Sequence, residues 1–180
     1  GARLASGVGP DILVWACTVG SFIKGKGYDA LLAEKIKQQI GLPLVTTSTA
    51  IVEAFKTLKV KKIAMATPYI DEINRREKEF FEHSLKGLKV VNMSGLGIIS
   101  NLQKGQLTPE SAYAAAKQVH TGSSECILIS CTNWRTLEII DLLEKDLGKP
   151  IVSSVQATIW LTFKMLGLSR PQGFGCLLQK

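Results

Sequence analysis

One short unit occurs twice in this chain, and it constrains the fold more than any other feature. Asp11-Ile-Leu-Val-Trp-Ala-Cys17-Thr18 is echoed by Glu125-Cys-Ile-Leu-Ile-Ser-Cys131-Thr132, each an apolar run ending in Cys-Thr. A Pro-led run follows each: Leu42-Pro43-Leu-Val-Thr46-Thr47 in the first copy and Lys149-Pro150-Ile-Val-Ser153-Ser154 in the second, with Ala50 and Ala157 in register. Cys17 lies 26 residues before Pro43 and Cys131 lies 19 before Pro150, a difference one loop can absorb. Around these units, short β-branched runs alternate with longer amphipathic stretches, the pattern of parallel strands covered by helices. Strands are predicted over residues 12–16, 44–46, 62–66, 89–91, 126–130 and 151–153. Helices are predicted over 29–40, 48–58, 70–85, 108–121, 133–147 and 156–166. Thr108-Pro109 is a helix start, with Thr as N-cap and Pro at the first helical position.

The class is therefore α/β, with two pseudo-symmetric lobes of parallel sheet. Each lobe presents Cys-Thr at the carboxyl end of a strand, where open parallel sheets bind ligands, so two thiols should face each other across an interlobe cleft. The lobes are expected at residues 1–58 and 59–154, with 155–180 a C-terminal helix returning toward the first. The second lobe starts near Val60, about 71 residues before Cys131, whereas only 16 residues precede Cys17. Because βα units repeat as whole pieces, the first lobe is expected to be incomplete here by about 55 residues, including its first strand.

Composition narrows the function classes. The longest uncharged apolar runs, Ile12 to Cys17 and Cys126 to Cys131, are far below the ~20 residues a membrane helix needs. No basic segment leading into an apolar one marks a secretory signal. Four cysteines at irregular spacing do not make a disulfide framework, and a reduced, cytoplasmic protein is expected. The net charge of +7 comes mainly from lysines interleaved with glutamates, as in Arg75-Arg76-Glu77-Lys78-Glu79. That is a solvated helix face rather than a basic stripe with aromatics, so nucleic acid is not expected as a partner. A positive field suits small anionic substrates, and open sheet edges leave room for homo-oligomers.

Cys17 and Cys131 are the candidate catalytic pair, because a Cys at a strand end before a helix start meets N–H groups that favour a thiolate. One such Cys is commonly just a small core residue; its duplication at one structural position argues for chemistry. Cys126 begins a buried strand and is assigned to the core, and Cys176 is given no role. His83 and His120 have no ligand spacing beside a Cys pair, so no metal site is expected. Tyr69 follows a strand end and is a candidate for the cleft. Thr47 and Ser48 are read equally as turn and N-cap residues or as substrate contacts. Gly95-Leu96-Gly97 with Ser100-Asn101 is either a substrate-covering loop, Asn101 offering its amide to a carboxylate, or a plain connection. It is not a dinucleotide fingerprint.

Five ordered motifs together resemble the Asp/Glu racemase superfamily: Ala16-Cys17-Thr18-Val19-Gly20-Ser21-Phe22, Leu42-Pro43 leading to Thr46-Thr47-Ser48-Thr49-Ala50, Ala66-Thr67-Pro68-Tyr69-Ile70-Asp71-Glu72-Ile73-Asn74, Ser130-Cys131-Thr132-Asn133 and Pro150-Ile-Val-Ser153-Ser154. Within it they look most like the maleate cis-trans isomerase and arylmalonate decarboxylase branch. The resemblance implies two flavodoxin-like lobes, an enzyme without cofactors, and a family amino-terminal strand and helix missing from this chain. Decarboxylases of the branch carry Gly at the first Cys position, and glutamate racemases carry Asn after the first Cys and His soon after the second Cys-Thr. Here Cys17, Thr18 and Asn133-Trp134 stand instead, which leaves the isomerase pattern as the closest fit. Val19 departs from it, since relatives often carry Ser there; a hydroxyl is lost and the backbone N–H stays. The resemblance implies addition of Cys17 to the alkene of a cis-dicarboxylate, with Cys131 handling the proton and Thr18, Tyr69 and Thr132 stabilising the charge. Racemisation or decarboxylation of a related acid is the enzymatic alternative, and an inactive ligand-binding relative is the alternative from another class.

Overall fold

Every strand of the chain pairs in parallel, and the pairs fall into two sheets. The structure is a computed structural model that describes all residues from Gly1 to Lys180. In chain order the elements are α1 (Ala2–Ser6), β1 (Leu13–Trp15), α2 (Thr18–Phe22), α3 (Tyr28–Ile40), β2 (Leu44–Thr46), α4 (Thr47–Leu58), β3 (Lys62–Thr67) and α5 (Asp71–Ser84). Then come β4 (Lys89–Gly95), α6 (Asn101–Gly105), α7 (Pro109–Val119), β5 (Cys126–Ile129), α8 (Ile140–Leu147), β6 (Ile151–Ser153) and α9 (Ser154–Leu166). β1 and β2 form a two-stranded sheet, and the other four strands run β4-β3-β5-β6.

The sequence repeat is a repeat of register. In the small sheet Leu13, Val14 and Trp15 stand beside Leu44, Val45 and Thr46; in the large one Ile127, Leu128 and Ile129 stand beside Ile151, Val152 and Ser153. Each Cys lies two residues past the end of its strand, and each partner strand runs straight into a helix, β2 into α4 and β6 into α9. Capping explains those sharp starts. Thr46 accepts from the Thr49 N–H, while Ser153 accepts from the Gln156 N–H and the Gln156 side chain accepts from the Ser153 N–H, so orphan amides of the first turn are satisfied. α4 and α9 meet each other, with the Thr158 hydroxyl donating to the Thr47 hydroxyl at 3.2 Å.

Two apolar clusters flank the large sheet. One, under α7 and α8, contains Ala112, Ala116, Ile127, Ile129, Trp134 and Ile140. The other contains Phe55, Ile63, Phe81, Leu128 and Trp160 and continues without a break into the small sheet through Phe22, Val45 and Ile51. Phe22 of α2 packs on Phe80 of α5 with ring centroids 6.0 Å apart, so the Cys17 turn is seated on the core of the large sheet. The outer edge of β1 is unpaired and leaves Val14 and Trp15 exposed. No helix is long and apolar enough to cross a membrane.

Three expected elements come out differently. β4 runs on to Gly95 instead of stopping at Val91, because β3 continues to pair with it through Thr67; the polar residues Asn92 and Ser94 masked that extension. The helix expected from Asn133 begins only after a short 3-10 turn at Leu137–Ile139. The buried Trp134 indole donates to Ser111 Oγ and Thr108 O, which holds the chain in turns until Leu137. The short helix α6 follows a segment read as a loop or connection, whereas α2 is the helix start expected directly after Cys17, a separate short helix ahead of α3.

Gly95, at the end of β4, is a point of close approach. A methyl there would collide with the Tyr69 carbonyl oxygen and the Asn74 amide. Overpacking against backbone costs about 1–3 kcal/mol, so Gly95→Ala should lower the melting temperature by several degrees and displace Tyr69, readable as a change in tyrosine fluorescence or near-UV dichroism.

Candidate active site

Cys17 ends the first repeat and is the N-cap of α2. Its backbone is extended (φ −144°, ψ 105°), and its Sγ accepts a hydrogen bond from the Gly20 N–H at 3.3 Å. A β-carbon at Gly20 would stand 3.0 Å from that sulfur, so glycine keeps the sulfur unobstructed on that side. Cys17 is exposed to solvent.

Cys131 ends the second repeat in a different environment. Its φ of 142° lies where side-chain-bearing residues rarely sit, a strained backbone that costs on the order of 1–3 kcal/mol. The surroundings hold it there: the Cys131 N–H donates to Ser154 Oγ at 3.0 Å, and the Trp134 N–H returns to the Cys131 carbonyl at 3.3 Å. The thiol is buried, and burial pushes its pKa up against the opposing pull of the Tyr69 hydroxyl, the Asn133 N–H and the Lys104 charge. Cys131 is thus held as the protonated thiol at neutral pH more firmly than an ordinary cysteine.

The two Cys-Thr turns are bonded to each other. Ser154 Oγ accepts from both the Cys131 N–H and the Thr18 hydroxyl, each at 3.0 Å, and the Thr132 hydroxyl donates to the Ala16 carbonyl at 2.9 Å. Each threonine hydroxyl carries a single hydrogen, so Thr18 and Thr132 spend theirs on holding the cleft together. Tyr69 is placed by its own neighbours. Asn74 accepts from the Thr67 hydroxyl at 2.5 Å and donates to the Tyr69 carbonyl at 3.3 Å, and the Tyr69 N–H donates to Thr67 Oγ1. Burial pushes the pKa of the Tyr69 hydroxyl well above the usual phenol value, and the neighbouring Glu77 and Cys131 add to the shift, so it stays a neutral donor.

These groups surround a cleft of about 550 Å³, the size of a small-molecule site. Of the residues expected there, Cys17, Thr18, Val19, Tyr69, Asn101, Cys131 and Thr132 all line it. Ser48 does not. It is fully buried behind the Cys17 turn, where its hydroxyl pairs with Ser21 Oγ at 2.6 Å and its N–H donates to the same oxygen, so it supports α2 rather than meeting a ligand. The Asn101 amide oxygen accepts from Lys104 Nζ, which leaves its two N–H hydrogens for a ligand. Ile98 and Ile99 line the same cleft, so the segment after β4 is a wall of the site.

Three contributors were not anticipated. Ser154 sits in repeat register with Thr47, a signal that placed it in the repeat but did not mark it as the bridge between the two turns. Lys104 lines the cleft from α6, a segment with no helical pattern of its own. Glu77 looked like one of several charges on a solvated helix face, yet it is fully buried beneath Ser130, whose hydroxyl donates to its Oε1 at 2.5 Å while Oε2 has no partner. Burial raises its pKa to about 8, opposed by the Ser130 hydrogen bond, so it is mostly a neutral acid at neutral pH. No cluster of three or more His, Cys, Asp or Glu side chains could hold a metal ion.

The sequence profile of the arylmalonate decarboxylase family matches residues 2–178, nearly the whole chain. The chain belongs to this family. That places it in the branch of the Asp/Glu racemase superfamily indicated by its five motifs. It is 33% identical over 168 residues to an arylmalonate decarboxylase of Bordetella bronchiseptica, covering 89% of this chain and 68% of that protein. It is 28% identical over 164 residues to a maleate isomerase of Alcaligenes faecalis, covering 88% of this chain and 64% of that protein. The chain thus spans about two thirds of the length of these relatives. Among solved structures, a maleate isomerase of Pseudomonas putida S16 crystallised with maleate superposes with a TM-score of 0.92 at 25% identity, over 98% of this chain and 73% of that one.

The buried Glu77 carries a pH signature. A carboxyl whose pKa is higher folded than unfolded binds more protons in the native state, so its contribution to stability is present at low pH and is lost as pH rises through about 8. Glu77→Gln should flatten that decline: its melting temperature relative to the parent chain should rise steadily between about pH 5 and about pH 8 and level off above it. A constant difference across that range would mean that Glu77 does not titrate there.

Proposed function

We propose that this cleft isomerises a small cis-dicarboxylate to its trans form, of the maleate-to-fumarate type, without a cofactor. The observation that carries the proposal is the pair of sulfurs on one cleft in unlike settings: Cys17 exposed, accepting an N–H, and Cys131 buried and protonated beside a neutral tyrosine. Unlike environments for two similar groups are how nucleophile and acid are told apart.

In this scheme the Cys17 thiolate adds to one alkene carbon. The π electrons move to the neighbouring carbon and into its carboxylate, and Cys131 gives its proton to that carbon. The former double bond is now single and turns freely. Cys131, as thiolate, then takes the proton back, the alkene re-forms, and Cys17 leaves with its electron pair. The negative charge that builds on the carboxylate is met by the Tyr69 hydroxyl, the Asn101 amide and the main-chain N–H groups around Val19. Thr18 and Thr132 contribute by fixing the two turns, since their hydroxyl hydrogens are already committed. Residues 1–58 and 59–154 would be the two lobes whose contact makes the cleft, with 155–180 returning across it.

Decarboxylation or racemisation is the second reading, favoured by the higher identity to the arylmalonate decarboxylase than to the isomerase. The two separate cleanly. Incubation with maleate in deuterium oxide should yield fumarate, whereas proton exchange at an alpha carbon without alkene isomerisation would select the second. Cys17→Ala and Cys131→Ala should each lower the rate by about a hundredfold or more. Alanine keeps the β-carbon and hence the backbone strain at position 131, so an unchanged melting temperature with lost turnover assigns the effect to the sulfur. An unchanged rate in Cys17→Ala ends the isomerase reading.

A further inference from the structure

Lys104 is the sole buried cation of the chain. Its ammonium donates to the Ile99 carbonyl at 3.0 Å and to Asn101 Oδ1 at 3.3 Å, and stands 5.2 Å from the centre of the Tyr69 ring. None of these partners carries a full negative charge. The ion pairs of the chain are Lys56–Glu53, Arg76–Glu72 and Arg135–Glu138, all between exposed neighbours on the surface, and no carboxylate lies within ion-pair distance of Lys104. A cation removed from water without a counter-charge is costly, and an ammonium has three hydrogens, of which two are engaged here. Such a group lining a ligand-sized cleft is in want of an anion.

Its position is also fixed in advance. Asn133, two residues past Cys131, donates from its side-chain amide to the Asn101 carbonyl at 2.7 Å. Gly105 makes room for that contact, since a β-carbon there would stand 3.1 Å from the Asn133 amide nitrogen. Ser100 caps the helix by accepting from the Gln103 N–H. The helix carrying Lys104 is therefore pinned to the loop carrying Cys131, and the ammonium needs no rearrangement to receive a charge.

We propose that Lys104 binds the second carboxylate of the ligand and so selects dicarboxylates over acids that are charged at one end only. This builds on the reading of the cleft as a dicarboxylate site but not on which reaction follows. An uncharged or aryl substituent placed against Lys104 would leave the ammonium unpaired, whereas a carboxylate there completes its third hydrogen bond and neutralises it. Selectivity of this kind comes as much from the penalty on the wrong ligand as from the gain on the right one.

Binding tests this without turnover. Iodoacetamide alkylation of the exposed Cys17 is followed by peptide mass at one fixed pH, with succinate or butyrate as four-carbon protectants bearing two charges or one. In the parent chain succinate should protect at about one-tenth the concentration of butyrate or less, the ratio expected of one charge-assisted hydrogen bond. Lys104→Met should abolish that preference while leaving protection by butyrate, and Lys104→Arg should keep most of it. If Lys104→Met does not fold, Lys104→Gln, which removes the charge but keeps a hydrogen-bond donor, gives the same reading. Equal protection by the two acids in the parent chain, or a preference that survives Lys104→Met or Lys104→Gln, overturns the proposal. A Lys104-dependent preference in a chain that leaves maleate unchanged would uphold it while ending the isomerase reading, so the two fail separately.

Discussion

A single hydroxyl holds this site together. Ser154 Oγ accepts from the Thr18 hydroxyl on one repeat and from the Cys131 N–H on the other, using both lone pairs of one oxygen. Through it the strained backbone at Cys131 is satisfied and the Cys17 turn is drawn against it. The Thr132 hydroxyl on the Ala16 carbonyl makes the reciprocal link. Loss of such a partner leaves a buried donor unpaired, at about 1–3 kcal/mol, on a backbone that already stores strain. The relative placement of the two sulfurs is thus set by cross-repeat hydrogen bonds and not by the strands alone. The uninterrupted apolar cluster beneath, from Phe22 and Val45 to Leu128 and Trp160, supplies the stiffness on which those bonds can act.

Around that node the cleft separates its charges with some care. Burial keeps Cys131 a thiol, against the pull of the Tyr69 hydroxyl and the Lys104 charge toward the thiolate. Glu77 is itself mostly protonated, which spares the site a second buried anion beside the thiol. Lys104 is the one full charge left in the wall, and it lacks a protein counter-ion. An anionic ligand meets a site in which its own charge is the missing piece, and the neutral donors near Cys131 are free to respond to charge that develops during reaction.

The solved relatives and the repeat bear on each other. The chain matches its family over almost its whole length yet spans about two thirds of the relatives' chains, and β1 offers an unpaired edge with Val14 and Trp15 exposed along it. Both sulfurs, Tyr69, Asn101 and Lys104 line one cleft.

Much of this was legible from residues alone. Two Cys-Thr units at the ends of apolar runs, each followed by a Pro-led run, determined an α/β chain with parallel strands and two sulfurs at carboxyl strand ends, because strand period and helix period leave separate marks in a local pattern. Cys17, Cys131, Tyr69 and Asn101 could be named on that basis. What the pattern could not decide was where each hydroxyl and each charge would be spent. Ser48 reads like Thr47 and Ser154 in sequence, yet only Ser154 bridges the turns; Glu77 and Lys104 read like solvated charges, yet both are buried at the site. Those outcomes depend on partners more than 20 residues away in the chain, such as Ser130 for Glu77 and Asn133 for the helix of Lys104. Local sequence determined the elements and the chemistry on offer, and only the tertiary structure, by removing water from particular side chains, decided which of them form the site.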